Sequence, residues 1–600
     1  AKGTRMIATL PSKQIVERAV SQDVAATLRA AGVASWMSAI LASRMDRPFD
    51  PQELLEPSLA RIPDPIGIPS MDRAVDRIVS AIASSERFAL ACDHDMDGTA
   101  SAAVLWTALT EFFGVPRESV HVVTSHRLKE GYGLTTAVVD RIITLAPGVV
   151  ITADKGSSDE PRISLLAARG IDVVVTDHHQ IPSSGPPPSA YCVVNPSRQE
   201  STFDPHVCGA GVAFLVMAKV RTALLNRGVR SKIASLSGLL DYVAVATIAD
   251  CVSLSPSVSS INRTFVKRGL ELLNEKRRSC WKVFAESIGD QPIDAEAIAF
   301  RLVPAIAAAG RLDWAKAGFQ FLIAPSKSEA ASHWAVLQQE NAERQQIERD
   351  LRVRALARAA QMDTRSIVLM FDDGHPGVHG ITASRLVEAF GKPAALFAPR
   401  GNGVRDSNFQ GNTDLLTGSF RSIPGINIHE VISAVASSDS ELVVSHGGHH
   451  GAAGAVVRRD RFERFRVAFE EQVAVRCGGK PLLPLVQTDG QLASHLHSVE
   501  VVKTIDRYGP WGRGFDYPIF AGRFHIKSLR LMSEGQHARL ELARDELRIR
   551  AVWFNARDQV DLADATVGRV LASAYRLRVN RYQGIESPEI QIVHGVFESG

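Results

Sequence analysis

Six hundred residues with 45% hydrophobic and 22% charged side chains describe a folded chain of roughly four domains, which excludes both a single core and a disordered polymer. Lys and Arg total 68 against 65 Asp and Glu, a net charge of +3, so any nucleic-acid surface has to be local rather than a bulk polycation. Cys92, Cys192, Cys208, Cys251, Cys280 and Cys477 form no CxxC pair and no metal-ligand spacing, which argues against a disulfide scaffold or zinc ribbon and fits a reducing cytoplasm. The first ten residues lack the apolar centre of a signal peptide, and no run approaches about 18 apolar residues, so no membrane span is expected.

In chain order, residues 1–70 read as a mixed helix-and-loop segment closing with the proline-rich stretch Pro57–Pro69. A helical pattern over Met71–Ser84 precedes the short apolar run Phe88–Cys92, which stops at Asp93 as a buried strand would. Similar runs recur at Val149–Ala153 and Val173–Thr176, with helical segments at Thr99–Phe113 and Glu160–Ala168. Strands alternating with helices predict a parallel sheet with functional groups at the carboxyl ends of its strands. After the turn-rich Gly185–Pro188, helical periodicity dominates Gly209–Leu273, and residues 71–325 are expected to form one α/β domain.

Trp334–Met362 has no Gly or Pro, and its apolar residues Leu337, Ile347, Leu351 and Leu356 look too sparse for a core helix. A partly exposed connecting helix over 326–362 is the expectation. A second α/β segment runs over Ser366–Cys477, giving a domain at 363–478, and Gly478–Pro484 marks a boundary. The last part, 485–600, alternates polar and apolar residues, as in Ala538–Val552, and predicts a small β-barrel.

The chemistry concentrates in Asp93-His94-Asp95-Met96-Asp97-Gly98, directly after the first strand of the sheet. Each close carboxylate pair costs about 4 kcal/mol at about 4 Å in an effective dielectric near 20. A calcium loop of EF-hand type would need a Glu at its twelfth position and flanking helices, and neither is present. Taken alone, the motif suits either a divalent-cation site or a solvated acidic turn. Asp154 ends the second strand run and Asp177-His178-His179 the third; Asp250 follows an apolar helical stretch. Alone, a HisHis pair is more often a surface or core feature, and Asp250 a helix-ending residue. Together the four segments offer mainly oxygen ligands plus imidazole, a set that suits Mn²⁺ or Mg²⁺ better than Zn²⁺.

In that order, Asp-x-Asp-x-Asp-Gly, the strand-end Asp, Asp-His-His and Ile248-Ala-Asp-Cys-Val252 resemble the DHH phosphoesterases, and within them the RecJ family of single-strand-specific exonucleases. Further matches are Arg127–Gly133, Cys208–Phe214, Gly310-Arg311-Leu312, His375–Arg385, Gly418–Ser422 and Gly447–Gly454; the last three resemble the DHH-associated domain. The resemblance covers about residues 50 to 600. It implies a parallel-sheet DHH lobe, a long connecting helix, an α/β DHH-associated lobe and a C-terminal OB-type barrel.

The resemblance also implies roles. Asp93, Asp95, Asp97, Asp154, His178 and Asp250 would hold two Mn²⁺ or Mg²⁺ ions. His179 would contact the scissile phosphate with Asp177 orienting the imidazoles, and His449 would reach it from the second lobe. Gly447 and Gly448 would bring backbone N–H groups to an anion. Arg127, Ser419 and Arg421 match positions that bind a terminal 5′-phosphate, for which the planar guanidinium fork is suited; Arg311 and Arg385 would line the strand path. Tyr508 and Trp511, with Phe515, Tyr517 and Phe520 nearby among Arg507, Arg513 and Arg523, are candidates for base stacking or for barrel core.

The implied activity is 5′→3′ hydrolysis of single-stranded DNA to nucleoside 5′-monophosphates by two-metal catalysis, in repair and recombination. A helicase and a single-strand-binding protein are candidate partners, and a chain with its own cleft could work as a monomer. Two other readings compete: a DHH phosphodiesterase of short oligonucleotides or cyclic dinucleotides, and a non-catalytic Cdc45-like DNA-binding scaffold. The barrel counts against the first and the retained acids against the second. Four positions depart from the family pattern. His94 stands for a customary aromatic, Lys155 for a small or thiol residue, and Ala305 and Ala307 for an Arg and an Asn.

Overall fold

The computed structural model describes residues 11–598 except 46, 48, 127–129, 132, 290, 313–315, 403–411, 449, 479–481, 534, 561 and 563–565. The chain divides into two compact units. One comprises 47–344 with 510–516; the other comprises the chain up to residue 46, 345–509 and 517–600.

Strand β1 (Gln14–Glu17) opens the described chain. The first unit is built on β2 (Phe88–Cys92), β3 (Val120–Val123), β4 (Val149–Ala153), β5 (Asp172–Thr176) and β6 (Cys192–Val194). All pair in parallel, in the order β3-β2-β4-β5-β6. Their near-continuous apolar sequences follow from burial on both faces. Leu90, Ile151 and Val174 face one core with the helices Met71–Ala83, Met96–Thr107, Gly209–Asn226 and Leu240–Ala249. The alternate residues Ala89, Val150, Val173 and Val175 face a second core with Thr136–Leu145 and Glu160–Ala167. Strand order reverses between β2 and β4, so the crevice at their carboxyl ends is the switch point where such sheets bind ligands.

The helix expected over Thr99–Phe113 starts earlier, at Met96, and gives way at Ala108–Phe112 to a π-turn. Among the described residues, Gly209–Asn226 is the helix long and apolar enough to cross a membrane by length and composition, and most of it is buried in this unit's core.

The connecting helix runs Lys327–Ala359, and its apolar residues are not too sparse to be core. Trp334 and Leu337 are buried in the first unit's core, and Leu351, Ala355 and Ala359 in a core of the second. Each end carries its own short i,i+3/i+4 stripe, and averaging over the whole helix hides both.

In the second unit, β7 (Ile367–Met370), β8 (Ala394–Arg400), β9 (Asn412–Arg421), β10 (Ser445–Gly448) and β11 (Ala452–Arg458) form a mixed sheet ordered β10-β11-β9-β8-β7. Phe397, Phe420 and Phe465 pack edge to face beneath it. The expected helix-and-loop N-terminus also contributes a strand: β1 pairs in parallel with β12 (Leu485–Thr488). A bidentate Arg44–Asp489 pair, both side chains about 1% exposed, fastens the same two segments. Four residues of mixed polarity give too little periodicity to reveal such a strand.

The barrel closes as β13 (Phe520–Met532), β14 (His537–Arg544), β15 (Leu547–Trp553), β17 (Ile585–Phe597) and β16 (Val570–Tyr582). Leu540, Leu542 and Ile549 point inward while Arg539, Glu541, Arg548 and Arg550 point out.

Candidate metal centre

The loops after β2, β4 and β5 place their acids at the switch-point crevice, and close glycine packing makes room for them. A Cβ on Gly98 would lie 2.3 Å from the Asp93 carbonyl oxygen, and one on Gly209 would lie 2.7 Å from Asp154 Cβ. That gives the glycines of Asp97-Gly98 and Cys208-Gly209 a steric reason. Asp154 itself sits at φ +60°, a strained conformation for a residue with a Cβ.

Three groups of ligand atoms converge, each within 4.8 Å: Asp93, Asp95 and Asp154; Asp154, His178 and His179; and Asp97, His178 and Asp250. His178 Nε2 lies 3.1 Å from Asp154 Oδ1 and 3.8 Å from both Asp97 Oδ2 and Asp250 Oδ2. Asp154 and His178 are each shared by two groups, so the donors form one continuous cluster.

The surrounding hydrogen bonds fix these side chains. Asp95 caps the helix Met96–Thr107 by accepting from Gly98 N at 3.0 Å. Asp97 accepts from Gly209 N and Ala210 N, both at 2.7 Å, at the start of the helix Gly209–Asn226. Asp177 Oδ1 accepts from His178 N, His179 N and His179 Nδ1 at 2.8, 3.2 and 2.7 Å, and its Oδ2 from Ser157 N at 3.0 Å.

A further layer escaped the sequence reading. Asn195 Nδ2 donates to Ser157 Oγ and to the His179 carbonyl, both at 2.9 Å, and Ser197 Oγ donates to the His178 carbonyl at 2.8 Å. The polar Asn-Pro-Ser directly after β6 was the available signal.

Burial and crowding set the electrostatics. Asp97 is pushed up to about 7 by burial and then by Asp95, against the two backbone N–H groups. Asp250 rises to about 8 through burial, then Asp97 and Asp95, and burial with the neighbouring acids raises Asp154 well above the carboxylate range. Carboxyls that resist ionising together call for a cation among them. Oxygen donors with imidazole suit a hard divalent ion, so these residues fit Mn²⁺ or Mg²⁺. Burial opposes the charged forms of Asp177 and His179, yet their mutual hydrogen bond wins. Asp177 is held well below the carboxylate range and His179 is raised to about 9.

The other candidate residues lie outside this cluster. Arg127 and His449 fall outside the described residues, as does the side chain of Arg311, whose backbone is in the helix Val303–Leu312. Ala305 is buried and Ala307 half-buried on that helix. In the second unit, Arg385 is exposed and pairs with Glu388 at 2.9 Å. Ser419 and Arg421 lie on β9, where the Arg421 guanidinium packs so close to Gly380 that a Cβ there would meet it at 2.7 Å. Gly447 and Gly448 lie in the edge strand β10, paired with Gly454 and Ala453 of β11. At Gly448 the φ of +140° and a Cβ only 2.4 Å from Ala453 Cα explain the glycine.

Of the aromatics, Phe515 and Phe520 are core, 0% and 1% exposed. Trp511 stacks on Phe515 at 4.8 Å, and Phe515 also carries the Arg263 guanidinium at 4.5 Å, all within the first unit. One face of Trp511 is therefore taken; Tyr508 is half-buried.

Comparison with known proteins agrees with this architecture. Residues 87–247 match the DHH family N-terminal domain, 363–475 the DHHA1 domain and 488–594 the RecJ OB domain. The single-stranded-DNA-specific exonuclease RecJ of Dickeya dadantii is 30% identical over 568 residues, covering 90% of this chain and 92% of that protein. The Escherichia coli protein of the same name is 29% identical over 538 residues, covering 87% and 89%. The crystal structure of RecJ from Thermus thermophilus in complex with Mn²⁺ superposes with a TM-score of 0.77 at 26% identity, covering 98% of this chain and 80% of that one. A parallel sheet with acids and imidazoles at its switch point, matching the DHH family and followed by a DHHA1 domain, puts the chain in the DHH class. Within that class, the chain belongs to the RecJ family.

Proposed function

We propose that the protein is a metal-dependent exonuclease of single-stranded DNA, releasing nucleoside 5′-monophosphates from the 5′ end. The observation that carries the reading is the continuous donor cluster, in which Asp154 and His178 each serve two of three ligand groups. Asp93, Asp95, Asp97, Asp154, His178 and Asp250 would hold two Mn²⁺ or Mg²⁺ ions. Bound there, two such ions make a hydroxide available at neutral pH and stabilise the attacking and leaving oxygens of a phosphodiester. The protein's own part is positional. Asp177 keeps His179 protonated and aimed, so the imidazolium can donate to a phosphate oxygen.

The relatives named single-stranded-DNA-specific exonuclease and the RecJ OB domain support the substrate class. In the second unit, Arg385, Ser419, Arg421, His449 and the Gly447–Gly448 edge are the proposed phosphate contacts. Arg127 and Arg311 are proposed for the same role in the first, and Tyr508 and Trp511 for base stacking. The domain limits 71–325, 363–478 and 485–600 and the monomeric state belong to this reading, as do action in repair and recombination in the cytoplasm and delivery of substrate by a helicase or single-strand-binding protein. The test uses 5′-phosphorylated single-stranded DNA labelled differently at each end and internally. Mn²⁺-dependent early release of the 5′ label as a mononucleotide, abolished by Asp154→Ala, is expected. Tight binding without cleavage would favour a scaffold instead.

A further inference from the structure

Residues 510–516 belong to the first unit, although the chain before Pro510 and after Asp516 belongs to the second. They form a tight turn that packs on the stretch following Asp250. Gly512 and Phe515 exchange both backbone hydrogen bonds at 3.0 Å, and the Arg513 carbonyl between them accepts from Leu254 N at 2.8 Å. Arg263, wholly buried on the helix Ser260–Asn274, lies over the Phe515 ring and donates to the Leu254 carbonyl at 3.3 Å and the Pro510 carbonyl at 3.1 Å. One guanidinium thus ties the two stretches together. The fit is close. A Cβ on Gly514, which sits at φ +71°, would lie 2.6 Å from Ser253 Oγ, and one on Gly512 would lie 2.8 Å from Leu254 Cδ1.

The turn holds the exit from a candidate metal ligand. Asp250 directly follows the helix Leu240–Ala249, with its N–H on the Ala246 carbonyl at 2.8 Å, and it groups with Asp97 and His178. The next residue, Cys251, sits at φ +55°, the left-handed conformation that helix ends usually give to glycine. A residue with a Cβ keeps that conformation only where its surroundings over-determine it. Upstream the helix supplies the constraint. Downstream it comes from Ser253, whose carbonyl accepts from Asn262 Nδ2 at 3.1 Å, and from Leu254, whose N–H and carbonyl are bonded to Arg513 and Arg263.

We infer that the turn at 510–516 is a clamp that positions Asp250 for its cation. It seats Ser253 and Leu254, these hold Cys251 left-handed, and the left-handed Cys251 fixes how Asp250 leaves its helix. The inference rests on the reading of Asp250 as a metal ligand and adds the segment that aims it. Asp97 and His178 are held separately, by the Gly209 and Ala210 N–H groups and by the bond from His178 N to Asp177. Loosening the clamp therefore weakens one cation site without dismantling it.

The test is Mn²⁺ titration of the full-length protein by calorimetry and electron paramagnetic resonance, with cleavage of single-stranded DNA followed against both Mn²⁺ and DNA concentration. Gly514→Ala drives the turn off Ser253, and Arg263→Met removes the tie between Leu254 and Pro510 while keeping most of the volume. Each should weaken one class of Mn²⁺ site about tenfold. The Mn²⁺ needed for half-maximal cleavage should rise by the same factor, with kcat back within about twofold of wild type at saturating Mn²⁺. Arg263→Lys keeps a donor for the two carbonyls and should recover part of the loss. A merely structural role would lower the melting temperature and the active fraction without moving the Mn²⁺ dependence. Unchanged Mn²⁺ affinity in whichever variant keeps the wild-type circular dichroism would overturn the inference. So would a change confined to KM for DNA, which would make the turn a strand contact. Asp250→Ala is the reference: if it leaves Mn²⁺ binding intact, the ligand reading itself has failed, and the clamp has nothing to aim.

Discussion

The crevice of the first unit and the outer face of the barrel both gather charge, and they handle it in opposite ways. In the crevice, Asp93, Asp97, Asp154 and Asp177 are each at most 9% exposed and interact through protein rather than water. On the barrel, Arg523, Lys527, Arg530, Arg539, Arg548 and Arg550 stand outward, while Phe524, Ile526, Leu540 and Ile549 are turned into the core. Buried charges couple strongly and need a partner, whereas exposed ones are screened within about 10 Å at ordinary salt. Damage to the crevice should therefore be nearly all-or-none and sensitive to pH. Damage to the barrel should be graded and sensitive to salt.

Asp154→Ala should show the largest effect, because two of the three ligand groups include this carboxylate. Mn²⁺ affinity should fall at both sites and single-turnover cleavage by about a thousandfold or more, as expected when several kcal/mol of metal-derived stabilisation is lost. Full Mn²⁺-dependent activity in this variant would end the metal assignment. Asp177→Asn should come next, at about 10- to 100-fold in rate, the usual effect of removing a partner that orients a site imidazole. It also removes the carboxylate that raises His179 to about 9. The alkaline limb of the pH–rate profile should consequently move to lower pH, a shift that loss of folding alone would not produce.

A third perturbation leaves the sequence alone. In the metal-free protein Asp97 and Asp250 are raised to about 7 and about 8, against about 3.9 for an unfolded aspartate. Between those limits the folded chain holds protons that the unfolded chain has released, so stability falls as pH rises through that window. Asp93 and Asp177, held low, contribute stability that is already fully present there. Divalent ions compete with the protons and relieve the repulsion. The melting-temperature gap between Mn²⁺ and chelator should hence be wider at pH 8 than at pH 5.5. A gap independent of pH would mean that the acids are not what the ion neutralises.

The same contrast separates what was legible in the sequence from what was not. Strands β2, β4 and β5 are apolar runs that stop at an acid, so the sheet and the strand-end positions of Asp93, Asp154 and Asp177 could be read directly. The reason for Gly209 could not, because it depends on a helix arriving from 55 residues beyond Asp154. Asn195 and Ser197 stayed hidden for the same reason: their partners, the Ser157 hydroxyl and the His179 and His178 carbonyls, lie elsewhere in the chain. Alternation revealed the barrel, yet Trp511 and Phe515, which look like part of its binding surface, pack with Arg263 in the first unit. Local periodicity reports which face of an element is buried. It is silent on what covers that face.

The smallest expected effect belongs to the barrel, at a pair of like charges. Arg530 of β13 stands directly opposite Arg539 of β14, whereas Glu541 of β14 faces Arg550 of β15. Directly opposed like charges weaken a strand pair by a fraction of about 1 kcal/mol, so this pair brings the free protein no stability. A polyanion lying across it would turn that repulsion into attraction. Arg539→Gln should weaken single-stranded DNA binding only severalfold at low salt. It should lower the slope of log K against log salt by about 0.7 if one phosphate contact is lost. The melting temperature should hold or rise slightly, because the repulsion goes with the charge. An unchanged salt slope would remove this face from the DNA path, and a lower melting temperature would mean that the arginine is held by packing rather than kept for its charge.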